Sequence, residues 1–173
     1  MMGKKISIAL AGLGSRGKDA YAQAAKEFPE KMEIVAIADI DPAKVKEVAE
    51  EFHIPQERCF ASAEELIAQE KLADVMFITT QDRQHVGQAI PALKKGYHLL
   101  LEKPISPDLE ECRKLVSVAH ECDSLVIIGH VLRYAPIYSN LKEVIDSGVA
   151  GDMVSVMSRE NVGYWHQAHS FVR

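Results

Sequence analysis

The sequence predicts an α/β fold with a doubly wound parallel sheet, and three observations support this. Six apolar segments alternate with segments of helical pattern or loops through residues 1–128. The first segment carries no charge, as a strand buried on both faces of a parallel sheet requires. A glycine-rich turn then leads into the first helix. Such alternation favours right-handed crossovers. The pattern changes after residue 128, so we expect a first domain at 1–128 and the beginning of a second, incomplete α+β domain at 129–173.

The stretch 5–17, KISIALAGLGSRG, predicts a strand, a turn and the start of a helix. Gly12, Gly14 and Gly17 give the G-x-G-x-x-G spacing of a dinucleotide-binding Rossmann fold. Gly12 permits the tight turn, Gly14 lets a pyrophosphate approach the backbone, and Gly17 lets the helix pack closely. The helix N-terminus would offer free N–H groups to the phosphates. The motif alone also fits an ordinary glycine turn.

A carboxylate stands where a ribose-binding acid is expected. The predicted second strand, 33–38, ends at Asp39, which is 22 residues after Gly17. Asp39 could accept hydrogen bonds from the ribose diol and would repel a 2′-phosphate. Because Ile40 and Asp41 follow, with no basic residue, NAD is favoured over NADP. The alternative is that Asp39 only caps the turn.

The remaining elements follow in order. Further strands are expected at 59–61, 74–79, 97–101 and 125–128. Helices are expected after the cap Asp41-Pro42, after the capping box of Ser62 and Glu65, after the polar turn 80–84, and from Ser106-Pro107 to about Cys122. On the first helix, Gly17, Tyr21, Ala24 and Phe28 should form the buried face. Pro91 should kink its helix or begin a new turn. Beyond Gly129 we expect a helix at 136–147 and, from period-two alternation, a strand of a different sheet at 152–158.

Composition limits the class of protein. The 173 residues are 47% apolar and 26% charged, and the net charge is −5. This charge gives no reason to expect nucleic acid or a membrane surface as a partner. Three cysteines without C-x-x-C spacing indicate reduced thiols and predict a cytoplasmic protein. The apolar run after Lys4 and Lys5 is better explained by the glycine motif than by a signal peptide, and no segment is long enough to span a membrane.

A set of ordered motifs resembles the Gfo/Idh/MocA oxidoreductases, the group of glucose–fructose oxidoreductase and inositol dehydrogenase. The motifs are AGLGSRG at 11–17, Ala38-Asp39, Thr79-Thr80 with His85, GYHLLLEKP at 96–104, Arg133 with Pro136, and the segment 148–156. The resemblance implies a two-domain enzyme with NAD or NADP in the first domain and substrate on a mainly antiparallel sheet in the second. It places Lys103, the lysine of the EKP motif, beside the nicotinamide, where it assists transfer of the substrate hydroxyl proton.

This chain departs from the family in one respect. The family pairs its EKP lysine with an Asp-x-x-x-His motif of the second domain, and no acid after Gly129 has a histidine four positions later. We therefore expect a fragment of a longer enzyme, which binds cofactor but does not turn over substrate well.

The candidate site combines the motifs. Lys103 is the expected catalytic residue. The expected cofactor-binding residues are Gly12, Gly14, Ser15, Arg16, Gly17, Asp39, Ile40, Thr80, His85, Glu102 and Lys103. Some of these side chains have structural alternatives: a solvated Arg16, a helix-capping Thr80, a structural His85, and Lys103 paired with Glu102 at the surface. Arg133 could reach cofactor or substrate, or form a structural salt bridge. His166 and His169 have the spacing of a metal pair but no third ligand, so we expect no metal.

Two classes of function fit this site. The first is an NAD-dependent oxidoreductase that transfers hydride between the carbinol of a sugar, inositol or related polyol and the nicotinamide. The second is a non-catalytic NAD(H)-binding sensor or regulatory module. An NADP-linked reductase of an aldehyde, imine or tetrapyrrole is a third option, against which Asp39 argues. The expected partner is a small-molecule substrate, and a homo-oligomer is compatible with the sequence.

Overall fold

The computed structural model describes residues 4–164, which divide into two compact units between His130 and Val131. The first unit contains a six-stranded, fully parallel sheet in the order β3-β2-β1-β4-β5-β6. The strands are β1 (Ile6–Ala11), β2 (Met32–Ala38), β3 (Cys59–Phe60), β4 (Val75–Ile78), β5 (His98–Leu101) and β6 (Val126–Ile128). The strand order runs outwards in both directions from β1 and β4, which confirms the doubly wound fold. Ligands of such sheets bind at this switch point, outside the carboxyl ends of the strands.

Helices cover the sheet on both sides. A π-helical segment, Ser15–Ala22, continues as α1 (Gln23–Glu27), and the later helices are α2 (Pro42–Phe52), α3 (Ala63–Ala68), α4 (His85–Lys94) and α5 (Leu109–Glu121). Small strand residues such as Ala9 and Ala36 share one buried cluster with residues of α3, α4 and α5. Larger residues such as Leu10 and Ile37 share the other with the first helix and α2. The alternation of size along β1 therefore sorts its side chains between two cores.

The first helix differs from the prediction in its winding. A regular 3.6-residue period predicts Gly17, Tyr21, Ala24 and Phe28 on the buried face. The structure instead buries Gly17 and Ala22, five residues apart, and leaves Phe28 40% exposed. The wider π-helical turn moves the inward face by about one residue per turn. The predicted face is therefore right for Gly17, and Tyr21 packs inwards against Phe77, but Ala22 and Ala25 are buried in place of Ala24 and Phe28.

Two other helices show which local signals decide a boundary. α5 begins at Leu109 rather than at Ser106-Pro107, because Asp108 caps it by accepting a hydrogen bond from Glu110 N–H at 2.8 Å. Pro91 lies inside α4, which continues through it to Lys94. Proline removes one N–H and crowds the carbonyl four residues earlier. That carbonyl belongs to Gly87, an exposed position without a side chain.

The second unit, taken by itself, contains a short turn of 3₁₀ helix (Val131–Tyr134) and α6 (Pro136–Asp146). The strand predicted at 152–158 is wrong, since these residues have no regular structure and Val154 is 96% exposed. A period-two pattern indicates which faces a strand would present, but a strand exists only where another strand accepts its hydrogen bonds. Residues 4–164 supply no such partner to this segment.

Across residues 4–164, the helices are all too short or too polar to cross a lipid bilayer. Cys59, Cys112 and Cys122 are free thiols.

Candidate functional site

The glycine turn lies at the switch point, and β4 holds it in place. Gly12 adopts a φ of 93°, and a Cβ there would lie 2.7 Å from the Thr79 backbone. The Thr79 hydroxyl donates a hydrogen bond to Gly12 O at 2.7 Å. A Cβ on Gly17 would lie only 1.9 Å from Gly12 O. Gly12 and Gly17 are therefore required by packing, whether or not a ligand binds.

Gly14 differs from the other two glycines because a Cβ there would meet no atom within 4 Å. Its φ of −75° is accessible to any L-residue. Packing thus gives no reason for a glycine at this position. The open space in front of Gly14 is where the sequence predicts the pyrophosphate.

The helix that follows Gly14 presents free backbone amides. Its first backbone hydrogen bond runs from Lys18 N–H to Gly14 O at 2.8 Å. The amides of Ser15, Arg16 and Gly17 precede that bond and have no acceptor within the helix. The side chains of Ser15 and Arg16 are exposed. This arrangement of amides and helix dipole suits an anion.

Asp39 points at the glycine turn. Its Oδ2 accepts the N–H of Leu13, the residue between the first two glycines, at 2.5 Å. Its Oδ1 accepts the N–H of Asp41 at 2.9 Å. Each carboxylate oxygen has a second lone pair, so both can still accept a hydrogen bond from a diol. The carboxylate is half-buried, and the adjacent Ile40 is 85% exposed.

An open groove of about 980 Å³ begins at Asp39 and Ile40. Phe60 and Ala61, at the end of β3, line its other side, and Pro42 lies at the start of α2. Its size lies within the range of small-molecule sites, and its walls are mixed apolar and polar. The groove therefore provides space for the adenosine end of a dinucleotide beside the Asp39 carboxylate.

Thr80 follows β4 at the same edge of the sheet. Its hydroxyl donates to Gln88 Oε1 at 2.6 Å, and Gln88 Nε2 donates to Glu64 Oε1 at 2.8 Å. The hydrogen bond from Gln88 is the main reason why the pKa of Glu64 is lowered. Thr80 is not a helix cap, because Gln81 forms the capping box there with Gln84. The Thr80 oxygen remains able to accept a hydrogen bond.

His85 is fully buried, with 0% exposure. Its Nδ1 lies 2.7 Å from the carbonyl oxygen of Pro104, and its Nε2 lies 3.2 Å from that of Thr80. A neutral imidazole donates one of these hydrogen bonds, and an imidazolium donates both. The ring offers no surface to a ligand, so the expected direct contact with the cofactor is corrected here to a structural role. His85 connects the end of β4 to the turn after β5.

Glu102 and Lys103 lie at the end of β5 and behave differently. The Glu102 side chain is buried, at 5% exposure, and its Oε2 accepts the Lys103 backbone N–H at 3.0 Å. Lys103 is exposed, and within residues 4–164 its ammonium forms no salt bridge. The alternative of a Lys103 ammonium paired with Glu102 is therefore not what the structure shows. Glu102 Oε1 instead accepts the Tyr21 hydroxyl at 2.6 Å and lies 3.9 Å from Arg16 Nε.

Sequence reasoning missed four groups of this site. They are the Thr79 hydroxyl, the Leu13 amide, the Tyr21 hydroxyl and the Gln88 amide. No local pattern marks them, because each contact joins different segments of the chain. Gln88 could have been found from the sequence, because it is a polar side chain on an otherwise apolar helix face.

Three further candidate residues of the sequence are Arg133, His166 and His169. Arg133 belongs to the second unit, where its carbonyl accepts a hydrogen bond from Ser139 Oγ at 3.4 Å. His166 and His169 lie outside the described residues. Among residues 4–164, no group of three or more histidine, cysteine or acidic side chains is arranged to hold a metal.

Comparison with known families identifies the domain. The family described as "Oxidoreductase family, NAD-binding Rossmann fold", GFO_IDH_MocA, matches residues 6–130. The chain belongs to the Gfo/Idh/MocA oxidoreductase family. This result confirms the resemblance inferred from the ordered motifs, and the matched region contains the complete parallel sheet.

Known relatives of this Gfo/Idh/MocA chain include several dehydrogenases. Inositol 2-dehydrogenase of Corynebacterium glutamicum is 29% identical over 154 residues, which are 88% of this chain and 44% of that protein. Trans-1,2-dihydrobenzene-1,2-diol dehydrogenase of Mus musculus is 31% identical over 121 residues, which are 70% of this chain and 35% of that protein. The chain thus spans less than half the length of these relatives.

Solved structures give the same result for the fold. Scyllo-inositol dehydrogenase from Lactobacillus casei, with bound NAD(H) and scyllo-inositol, superposes with a TM-score of 0.78 at 26% identity, over 86% of this chain and 43% of that one. The WlbA dehydrogenase from Bordetella pertussis, in complex with NADH and UDP-GlcNAcA, gives 0.77 at 25% identity, over 86% and 44%. This Gfo/Idh/MocA chain therefore covers less than half of the length of each of these two solved chains.

Proposed function

We propose that this chain is the NAD-binding part of a dehydrogenase that oxidises a hydroxyl-bearing carbon of a sugar, inositol or related polyol. The observation that carries the proposal is the position of the Asp39 carboxylate, hydrogen-bonded to Leu13 inside the glycine turn. Free amides and the open space at Gly14 lie in the same turn. Similarity to inositol 2-dehydrogenase and to scyllo-inositol dehydrogenase supports the substrate class.

The residues present fit a dinucleotide along the carboxyl edge of the sheet. The amides at 15–17 would hold the pyrophosphate, with the exposed Arg16 guanidinium beside them. Asp39 would accept the hydroxyls of the adenosine ribose, and its charge would oppose a 2′-phosphate, which favours NAD over NADP. Thr80 would contribute a hydrogen-bond acceptor near the middle of the edge. When bound, NAD supplies the hydride acceptor.

Lys103 is the proposed catalytic residue. Its exposed side chain follows β5, and its backbone N–H is fixed by Glu102. A lysine ammonium carries three donors on a flexible stem, so it can donate a hydrogen bond to the oxygen of a substrate hydroxyl while a separate base accepts the proton of that hydroxyl. The proton partner in the family's second domain has no counterpart in this sequence. We therefore propose that the 173-residue chain binds cofactor without efficient turnover, and that 129–173 begins the substrate domain.

Calorimetric titration of the 173-residue chain with NADH and with NADPH tests the proposal. NADH should bind more tightly than NADPH. Asp39→Asn keeps an oxygen for the Leu13 amide but removes the charge and the acceptor of the Asp41 N–H. NADH affinity should fall about 10- to 150-fold, the value of a charged hydrogen bond. NADPH affinity should change less or improve, because the repulsion is removed.

Asp41→Asn is the matched control for this test. It removes the same charge two residues away, and asparagine still caps α2. The ribose-binding role of Asp39 would be refuted if Asp39→Asn lost NADH and NADPH affinity equally. It would also be refuted if Asp41→Asn lowered NADH affinity as much as Asp39→Asn does.

The second candidate is a non-catalytic NAD(H) sensor or regulatory module. Such a module needs the nucleotide site alone, and the glycine turn and Asp39 both lie in the first unit. A cytoplasmic location and a homo-oligomeric state also stay predictions. Binding of NADH without any oxidation of inositols or sugars by the full-length protein would favour the module.

A further inference from the structure

Tyr21 reaches the far end of the site from the first helix. Its ring packs edge-on against Phe77 of β4, with centroids 5.8 Å apart and an interplanar angle of 75°. Its hydroxyl donates to Glu102 Oε1 at 2.6 Å. The helix that begins at the glycine turn is therefore joined to the end of β5 by one short hydrogen bond.

Glu102 is surrounded on the side facing the protein. A Cβ on Gly129, at the end of β6, would lie 2.9 Å from both Glu102 Oε1 and the Tyr21 hydroxyl. The position after β6 thus has no room for a side chain beside this pair. Arg16 is 3.9 Å from the same carboxylate oxygen and about half exposed, so Tyr21 is its shorter and better shielded partner.

The two oxygens of Glu102 accept hydrogen bonds from different parts of the chain. Oε1 accepts the Tyr21 hydroxyl, and Oε2 accepts the Lys103 backbone N–H at 3.0 Å. A carboxylate rotates as a planar unit, so fixing one oxygen fixes the other. The position of the Lys103 amide therefore depends on whether Tyr21 holds the opposite oxygen.

We propose that Tyr21 is a positioning residue for Lys103, acting through Glu102, so that the helix that receives the pyrophosphate also orders the nicotinamide end of the site. This inference rests on the proposed NAD-binding function. Burial, and then the hydrogen bond to Glu102, raise the pKa of Tyr21. The phenol therefore stays protonated and remains the donor across the physiological range.

Tyr21→Phe in the 173-residue chain tests this role, because it keeps the ring against Phe77 and removes only the hydroxyl. NADH and ADP-ribose are titrated in parallel, since ADP-ribose lacks the nicotinamide. We expect the dissociation constant for NADH to rise about three- to tenfold and that for ADP-ribose to change less than about twofold. A merely structural role would weaken both ligands alike.

Tyr97→Phe is the matched control. Tyr97 is fully buried, and its oxygen accepts the Leu72 N–H at 2.8 Å at the amino edge of the sheet. The same loss of a hydroxyl there should lower stability without changing the ratio of NADH to ADP-ribose affinity.

An amide spectrum without ligand gives an independent readout. In Tyr21→Phe the ¹H–¹⁵N signal of Lys103 should shift, and in Tyr97→Phe it should not. If Tyr21→Phe fails to fold, Glu102→Met replaces it, because this side chain of similar length has no oxygen to accept from either Tyr21 or the Lys103 N–H. It should show the same selective loss of NADH affinity.

The outcomes separate this inference from the proposed function. If the unaltered chain binds neither NADH nor ADP-ribose, the proposed function fails and this inference fails with it. If the unaltered chain binds both ligands, two results overturn the positioning role alone. One is that the variants lose NADH and ADP-ribose affinity equally, or lose neither. The other is that the Lys103 amide signal does not shift in Tyr21→Phe.

Discussion

The glycine turn offers a substitution that separates packing from ligand binding. Gly14→Ala adds a methyl group that meets no atom within 4 Å, at a backbone conformation open to alanine. Replacing a glycine at an unstrained position stabilises a protein by about 0.4–1 kcal/mol, because the unfolded chain loses freedom. The variant should therefore be as stable as the original chain or slightly more so. Gly17→Ala should instead disrupt the turn, since its methyl would lie 1.9 Å from Gly12 O.

The cost of Gly14→Ala should appear only in binding. The new methyl occupies the space in which a pyrophosphate approaches the backbone, so the phosphates must move away from the amides at 15–17. Hydrogen bonds to a charged group contribute about 1.5–3 kcal/mol each. If one or two of these hydrogen bonds are lost or lengthened, the free energy of binding weakens by about 2–4 kcal/mol. This corresponds to a roughly 30- to 1000-fold lower affinity for NADH.

The assay pairs urea denaturation with calorimetric titration of NADH. Gly87→Ala in α4 is the control, because a Cβ on that exposed glycine would likewise meet no atom within 4 Å. It should raise stability and leave binding unchanged. A folded Gly14→Ala variant that binds NADH as tightly as the original chain would refute the reasoning, since the turn would then be packing alone.

Two predictions concern stability. Hydrogen bonds from the Ser7 backbone, then from Lys4 and the Ser7 hydroxyl, hold the pKa of Asp74 well below its ordinary value of 3.8. The stabilisation that Asp74 contributes is thus present above pH 3.8 and is lost as the pH falls below that value. Urea midpoints should therefore show that Asp74→Asn is less stable than the original chain at pH 7, and that this difference narrows near about pH 3. A difference in midpoint that stays constant with pH would contradict this. His85→Ala removes the ring that lies between two buried carbonyls, and each carbonyl that loses its donor costs about 1–3 kcal/mol. Because the ring donates to one or both of them, the free energy of unfolding should fall by about 1–6 kcal/mol, and an unchanged urea midpoint would show that the ring is not a structural link.

Local signals were sufficient for most of the fold. The strand preceding Gly12, the three glycines and the acid at Asp39 can be predicted from sequence because spacing along one β-α-β unit fixes them. Asp41 caps α2 through the Ala43 N–H at 2.9 Å, as its position before proline predicts. The doubly wound order follows from the alternation of elements.

The errors arose where a local pattern depended on distant partners. The π-helical turn at Ser15–Ala22 changes which residues face inwards, and a 3.6-residue period cannot anticipate it. At 152–158, alternation of apolar and polar residues predicted a strand for which residues 4–164 supply no neighbour. At the start of α5, the sequence predicted Ser106-Pro107, but Asp108 is the residue whose side chain accepts a helical amide.

The candidate site residues also divide into those that depend on local neighbours and those that depend on distant partners. Gly14 and Asp39 present backbone space and a carboxylate to a ligand, and their tasks depend on neighbours in the same β-α-β unit. His85 and Glu102 have the side chains of ligand-binding residues, yet both are buried and bonded to other parts of the chain. A buried polar side chain must have its hydrogen bonds satisfied within the protein, so at a sheet edge it supports the residues that face the ligand. Lys103 is exposed and its backbone N–H is bonded to Glu102, so we propose Lys103, rather than the buried Glu102 or His85, as the residue that meets the substrate.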